Sequence, residues 1–255
     1  LGWAKAGGSV THAWAEGHFN HYFMTGDRRS YEAGLAVADY HIAAYLNRPY
    51  EFTSCRMPGW HLIINAIAYA STCDPYYLNA SRVIVDRVLE TQDTTPRPLP
   101  TYQCEPGRTH QVGTWSRMMV PGHCHYLPRH QGNAGFMVAI LLSGLKYYHD
   151  VTDDEAVKQA IIAGARGLIA ECYSTESHGF RYTSCPQTGF SSGSSPLMLE
   201  GIARAYRWTR DPILRDPLLF VRQYGRGWQA WGKGFASHYR VAPRLLADLA
   251  ACGIT

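Results

Sequence analysis

Four copies of a Thr-x-Asp signature in this chain each lie between two stretches with helical periodicity. The four copies are Thr25-Gly26-Asp27, Thr72-Cys73-Asp74, Thr152-Asp153-Asp154 and Thr209-Arg210-Asp211. In the first copy, Gly26 suits the left-handed end of one helix, and Asp27 suits the N-cap of the next. The Asp residues of successive copies are 47, 80 and 57 residues apart, and a helix–turn–helix unit that recurs in this way predicts a helical array.

Apolar spacing predicts where the helices and loops of this array lie. We expect nine helices, over residues 11–24, 29–46, 59–71, 75–92, 133–150, 153–172, 194–209, 212–224 and 235–252. Thr11 is the expected N-cap of the first helix. The linkers between hairpins are long, over residues 47–59, 94–132, 173–195 and 225–234. They are expected to gather at one end of the array, beside the N-termini of the following helices, with a short extended hairpin at 179–184.

The composition permits a large packed core and excludes a disordered chain. Of the 255 residues, 46% are hydrophobic and 13% aromatic, with 17 Tyr and 7 Trp. The net charge of +4 is spread along the chain without a Lys/Arg run, so we predict neither a nucleic-acid partner nor a membrane partner. The apolar run 136–142 is far shorter than the roughly 20 residues of a membrane span.

The cysteine count leaves the redox chemistry open. The chain has seven cysteines without a Cys-x-x-Cys pair: Cys55, Cys73, Cys104, Cys124, Cys172, Cys185 and Cys252. Up to three disulfides and one thiol are possible. Cys55, Cys104 and Cys185 lie in loop-like stretches where a disulfide suits a secreted or periplasmic protein, which is the expected location.

Three segments resemble a known superfamily along most of the chain. They read WAEGHFNHYFMTGDRRSYEAG, GWHLIINAIAYASTCDPYYLNA and GLKYYHDVTDDEAV. They are similar to the (α/α) toroid of polysaccharide lyases and several glycoside hydrolase families. The Trp-x-Glu-Gly helix start before a Thr-Gly-Asp turn most resembles the exo-acting rhamnogalacturonan lyases.

The resemblance implies an all-α fold, an (α/α) toroid with long loops at one end. A toroid of this superfamily commonly has around twelve helices, whereas nine are predicted here. We therefore expect residues 1–255 to be a single domain, an incomplete α/α barrel that forms the C-terminal part of a larger catalytic domain. Residues at the N-termini of the inner helices and in the preceding loops would face the substrate.

His12 and Glu16 form the first candidate site. In a helix from residue 11 they would stand one turn apart and hold each other in a defined protonation state, as an acid/base pair must. His18 and His21 follow on the same stretch. The structural alternative is that Glu16 hydrogen-bonds a neighbouring loop and His21 lies in the core.

Arg56, Trp60 and His61 form the second candidate site, around the start of the third helix. Arg56 could neutralise a sugar carboxylate through two parallel hydrogen bonds, and Trp60 could stack on a sugar ring. The alternative is that Trp60 only packs against the loop and holds it in place.

The longest loop supplies the third candidate site, and four of the twelve histidines fall within it. Its chemical residues are His110, Trp115, Arg117, His123, His125, Tyr126, Arg129, His130 and Asn133. They concentrate groups that titrate near neutral pH directly before a helix start. His123, His125 and His130 could hold a metal, but no His-Glu-x-x-His spacing supports one, so we predict no metal and no cofactor.

Two later loops supply rim or substrate-contact candidates. These are His178, Arg181, Tyr182, Lys233, His238, Tyr239 and Arg240. We interpret residues 189–196 as a flexible cap before a helix and not as a nucleophile elbow, although residues 189–193 have the Gly-x-Ser-x-Gly spacing.

These residue types favour cleavage of a uronate-containing, rhamnogalacturonan-like polysaccharide or oligosaccharide by β-elimination. Such a lyase needs a cation at the carboxylate, a base near C5 and an acid at the leaving oxygen. Arg56 or Arg129, His125 or His123, and Tyr126 could fill these roles. Two alternatives stay open: a glycoside hydrolase that uses Glu16 as its acid/base, and a non-catalytic helical array that binds glycans or self-assembles.

Overall fold

The computed structural model describes residues 10–46, 55–95, 97–98, 109–110, 112–124, 131–185, 188–189, 196–224 and 232–254. Within these ranges the chain is mostly helical and has nine α-helices. They are α1 (Glu16–Thr25), α2 (Arg28–His41), α3 (Arg56–Thr72), α4 (Pro75–Thr91), α5 (Gly135–Thr152), α6 (Glu155–Cys172), α7 (Pro196–Thr209), α8 (Pro212–Tyr224) and α9 (Gly232–Ala251). A π-helical segment, Ile42–Leu46, extends α2.

The Thr-x-Asp signature forms the same turn in all four copies. The middle residue is left-handed in each, with φ between 56° and 75° at Gly26, Cys73, Asp153 and Arg210. The Thr hydroxyl donates to the carbonyl one turn earlier, as Thr72 does to Ala68 at 2.7 Å. The Asp carboxylate then accepts the amide two residues on, as Asp74 does from Tyr76 at 2.9 Å. Each signature thus ends one helix and caps the next within three residues.

The nine helices pack in two layers. In the first layer, α3 contacts α1 and α5, and α7 contacts α5 and α9. The second layer consists of α2, α4, α6 and α8, each packed on its hairpin partner. The odd-numbered helices therefore form a continuous row, which we name the inner layer. The even-numbered helices cover this layer. The predicted nine-helix array is confirmed.

α3 and α5 form the centre of the row and are buried on nearly every side. An ideal Cβ at Gly144 of α5 would lie 2.4 Å from the carbonyl oxygen of Gly59 in α3. A Cβ at Gly59 would in turn lie 2.6 Å from the carbonyl oxygen of Ile140. Only glycine permits so close an approach, and these two positions therefore set how the central helices cross.

The buried apolar side chains form two large clusters on either side of this crossing. One joins α3 and α5 to α1, α2 and the first half of α4, and the other joins α3 and α5 to α4 and α6–α9. Phe136, in the first turn of α5, packs against both. The row of inner helices is thus held from both sides by buried apolar surface, the main source of folding free energy.

Short antiparallel strand pairs lie in the loops before the inner helices. They are β1 (Arg97–Pro98) with β2 (Thr109–His110), β3 (Arg117–Met118) with β4 (Gln131–Gly132), and β5 (Tyr173–Ser174) with β6 (Gly179–Phe180). A bridge between Ala134 and Thr183 joins the loops before α5 and α7. The described parts of the loops before α5 and α7 therefore meet beside the N-terminus of α5.

The first helix begins later than the sequence indicates. It starts at Glu16, with Ala15 at the N-cap position and without a side-chain cap hydrogen bond, so the predicted cap at Thr11 is wrong. His12 lies in the turn before the helix. The predicted one-turn helical relation between His12 and Glu16 is therefore not formed.

No helix in the described ranges is long and apolar enough to cross a membrane.

Candidate functional site

A group of basic and aromatic side chains gathers where the loops meet the N-terminal ends of the inner helices. We name it the Arg–His cluster, and it comprises Arg56, Arg117, His123, Phe136 and Tyr182. Arg56 is the first residue of α3, and Phe136 lies in the first turn of α5. Arg117 lies in β3, and Tyr182 closely follows β6. His123 lies in a turn, and its own backbone amide donates to the carbonyl of Val120.

Arg117 and His123 are in direct contact. The Arg117 guanidinium donates to Nδ1 of His123 at 3.3 Å and to the sulfur of Met137 at 3.6 Å. Because a guanidinium can only donate, Nδ1 must be the acceptor, which assigns the proton of the neutral ring to Nε2. Burial, and then the charges of Arg117 and Arg56, lower the pKa of His123. The imidazole is therefore neutral at neutral pH.

The two arginines of the Arg–His cluster carry positive charge that no carboxylate balances within the described ranges. Neither Arg56 nor Arg117 forms an ion pair there, although both are half-buried. Burial and the nearby charge of Arg56 lower the pKa of Arg117, which remains charged. Nε of Arg56 is buried and has no hydrogen-bond partner among the described residues. Half-buried like charges favour binding of an anion.

Aromatic rings flank this positive charge. Tyr182 stacks on Phe136, with ring centroids 5.0 Å apart and planes at 21°. It meets the His123 ring edge-on at 5.5 Å and is 51% exposed. An exposed, fixed ring beside a cation pair is suited to contact a sugar ring.

A buried hydrogen-bond network holds these loops in position. The Thr183 hydroxyl donates to the carbonyl of His123 at 3.1 Å. The backbone of Asn133 both receives from the Ser184 amide and donates to the Ser184 hydroxyl. The Asn133 side chain donates to Glu171 at 2.6 Å. Asn133, a candidate from the longest loop, is buried, and its hydrogen bonds hold the loops together.

A second polar group lies deeper between α1, α3, α5 and α9. We name it the inner cluster, and it comprises Trp14, Glu16, Trp60, Tyr147, Arg240 and Arg244. The Tyr147 hydroxyl lies 3.2 Å from both carboxylate oxygens of Glu16 and receives a 3.0 Å hydrogen bond from Arg240. Arg244 pairs with Glu16 at 2.7 Å. Burial raises the pKa of Tyr147, so its hydroxyl stays protonated and can donate.

Tryptophan rings cover one side of the inner cluster. The Arg240 guanidinium lies 5.0 Å from the Trp60 ring centroid, and Trp14 packs on Trp60 at 4.8 Å. Trp60 is only 2% exposed. The ring therefore engages a cation of the chain itself, an arrangement that stabilises the fold.

The two clusters share helices. Arg56 and Trp60 are one turn apart on α3, which is about 6 Å along the axis. Phe136 and Tyr147 are roughly 16 Å apart along α5. The Arg–His cluster lies at the N-terminal ends of α3 and α5, and the inner cluster lies further along these helices.

The remaining predicted site residues are dispersed. His12 is exposed, and Trp115 is a core residue whose indole donates to the carbonyl of Val88 at 2.9 Å. His61 is fully buried beside His41, and burial lowers its pKa to about 3. Residues His125, Tyr126, Arg129 and His130, and the side chains of His110 and Lys233, lie outside the described part of the chain.

Several residues that organise the clusters were not singled out from the sequence. They are Tyr147, Lys146, Glu200 and Arg244. Lys146 is completely buried and pairs with Asp150 at 3.3 Å and Glu200 at 3.6 Å. A lysine inside the apolar stretch of α5 was the available signal, because a buried lysine requires a carboxylate partner.

No model of a known protein family matches the chain, and no curated protein is significantly similar to it. In the described ranges, no group of three or more His, Cys, Asp or Glu side chains could hold a metal ion. The basis for assigning a function is therefore the chemistry of the two clusters.

Proposed function

We propose that this chain belongs to a carbohydrate-active enzyme that cleaves a uronate-containing polysaccharide or oligosaccharide by β-elimination. The observation that carries the proposal is the neutral imidazole of His123 beside two arginines without a carboxylate partner in the described ranges. An acidic sugar supplies the missing negative charge. The two-layer helical array is compatible with part of an (α/α) toroid, and a secreted or periplasmic location suits such a substrate.

The carboxylate of the sugar would bind to Arg56 and Arg117. Neutralising this carboxylate acidifies the neighbouring C5–H, because the carbanion that forms delocalises onto the carboxylate oxygens. Two guanidinium groups can hold both oxygens in a fixed plane. Tyr182 would contact the sugar face beside the carboxylate.

His123 would act as the base. In the absence of substrate its Nδ1 lone pair accepts from Arg117 over a long 3.3 Å contact. When Arg117 turns to the sugar carboxylate, this lone pair becomes available for the C5 proton. The C5–H electrons then form the C4=C5 double bond, the C4–O4 bond breaks, and O4 takes a proton from an acid such as the Tyr182 phenol.

The first experiment follows ultraviolet absorbance while the purified protein is incubated with a panel of acidic and neutral polysaccharides. A rise with a uronate-containing polymer is expected, because the new double bond is conjugated with the carboxylate. New reducing ends without this rise would instead support a hydrolase that uses Glu16. Neither signal would support the alternative of a glycan-binding or self-assembling array.

Variants test the assigned roles on the substrate so identified. His123→Ala is expected to lower kcat by about 10²–10⁴-fold, the usual contribution of a general base. Arg56→Met and Arg117→Met are each expected to lower kcat/KM by about 10²-fold or more. The controls are His18→Ala and Arg28→Met, which change exposed residues of α1 and α2. Equal activity of His123→Ala and wild type would refute the proposal.

A further inference from the structure

We propose that Cys124 and Cys185 are an oxidative modification site, at which a disulfide joins the two segments that carry His123 and Tyr182. The two sulfur atoms lie 3.3 Å apart in the structure. The residues come from different loops, one before α5 and one before α7. A bond of about 2 Å would need only a small side-chain movement.

The side chains of the two cysteines are buried. Cys124 is 2% exposed and Cys185 is fully buried, and together with Met119 they form a small hydrophobic cluster of their own. A disulfide is less polar than two thiols and fits such a site. Once formed, it would be reduced only when the loops open or the chain unfolds, as it does during thermal denaturation.

The backbone brings the two cysteines together independently of their sulfurs. The Thr183 hydroxyl bonds the carbonyl of His123, one residue before Cys124. Ser184, directly before Cys185, is paired with the backbone of Asn133. Hydrogen bonds thus already hold the two loops together, so a covalent link would reinforce an existing arrangement.

The oxidant is a low-molecular-weight disulfide of the glutathione class. One thiolate attacks this disulfide and forms a mixed disulfide, releasing one small thiol. The second cysteine then attacks the mixed disulfide and releases the other small thiol. Two protons and two electrons leave the cysteine pair, and the oxidant is reduced to two thiols. Because the pair is buried in the fold, exchange takes place during folding, before the loops close.

The expected consequence concerns the Arg–His cluster. His123 directly precedes Cys124, and Tyr182 lies three residues before Cys185. The link would restrict their relative motion and so preserve the geometry of the base and the aromatic contact. This consequence rests on the proposed function, whereas formation of the link does not.

Peptide mapping tests the link without any substrate. The protein is folded with reduced and oxidised glutathione, alkylated with iodoacetamide without reduction, digested and analysed by mass spectrometry. The expected result is a cross-linked peptide pair that contains Cys124 and Cys185 and separates on reduction. Alkylation of both cysteines, or a link from either one mainly to another cysteine, would overturn the proposal.

Variants extend the test to stability. Cys124→Ser or Cys185→Ser is expected to lower Tm of the oxidised protein by roughly 5–10 °C and to abolish its sensitivity to reductant. The control Cys73→Asn, at an exposed left-handed turn position, should keep that sensitivity. A wild-type Tm that is the same with and without reductant would contradict the proposal. If the chain is a lyase, reduction should also lower kcat/KM at least threefold.

Discussion

Arg244 of α9 lies 2.7 Å from the carboxylate of Glu16, at the start of α1. This ion pair thus links the first and last helices of the inner layer. Glu16 is buried and Arg244 is partly exposed. Loss of either partner would leave the other charge poorly compensated in a partly desolvated site.

This ion pair predicts energetic coupling between the two ends of the chain. In a double-mutant cycle of Glu16→Gln and Arg244→Met, the coupling free energy is expected to be about 1–3 kcal/mol. Urea unfolding measures it. The control cycle uses Glu155 and Lys158, a more exposed pair at 2.9 Å, and should give less than about 0.5 kcal/mol. Additive effects of the Glu16 and Arg244 substitutions would contradict the assigned pairing.

The Thr-x-Asp turns predict that removing a glycine and introducing one change the stability in opposite directions at two equivalent positions. Gly26→Ala should destabilise the protein by about 1 kcal/mol, because φ at this position is +75° and no atom is near enough to clash. Cys73→Gly should stabilise it by about 0.5 kcal/mol, because Cys73 adopts φ of +57°. Chemical denaturation measures both. The control Cys73→Ala removes the thiol but keeps the strain, and a gain equal to that of Cys73→Gly would refute the explanation.

Buried histidines predict acid sensitivity. Burial lowers the pKa of His41 from 6.5 to about 4, and the folded state therefore binds fewer protons than the unfolded state between these values. The free energy of unfolding should be highest above pH 6.5 and fall toward pH 4, by up to about 1.4 kcal/mol per pH unit for each such histidine. His61, with a pKa of about 3, acts in the same direction.

His41→Leu should reduce the slope of the unfolding free energy against pH by up to about 1.4 kcal/mol per pH unit, which corresponds to one proton. Denaturation curves at several pH values from 7.5 to 4.5 provide the measurement. The same substitution at exposed His18 is the control and should leave the slope unchanged. An unchanged slope in His41→Leu would show that His41 titrates normally in the folded protein.

The charge of Arg117 predicts the pH dependence of catalysis. Burial and the arginine charges lower the pKa of His123, so its base form persists below pH 6.5. Arg117→Met removes one positive neighbour and should raise this pKa. The acid limb of the kcat/KM profile should then move to higher pH. NMR titration of the His123 ring measures the same shift without substrate, and Arg28→Met serves as the control; a lowered or unchanged pKa in Arg117→Met would be contrary evidence.

Local patterns account for the success of the helix predictions. The Thr-x-Asp turns act within three residues through caps and left-handed conformations, and the structure places them where the sequence predicts. Both ends of α8 agree with the prediction. The start of α1 does not, because Thr11 makes its hydroxyl contact with His12 in a turn that precedes the helix.

The candidate site was predictable only in part. Long loops before the inner helices were expected to meet, and Arg56, His123 and Tyr182 do gather there. Stacking on a sugar and a packing role were both open for Trp60, and Trp60 and Trp115 are both buried in packing roles. Residue type and spacing indicate which groups can stack on a sugar, but they do not determine which side of a ring remains open.

The sequence alone determined the helices, their turns and the end of the array that collects polar residues, because caps and periodicity act over a few residues. Only the tertiary structure decided the pairs that join distant segments, such as Glu16 with Arg244 and Cys124 with Cys185. Those pairs depend on how the helices and loops pack, and Gly59 and Gly144 allow the central pair of helices to cross in direct backbone contact. Such a crossing is a property of the whole packed layer, and no short stretch of sequence contains it.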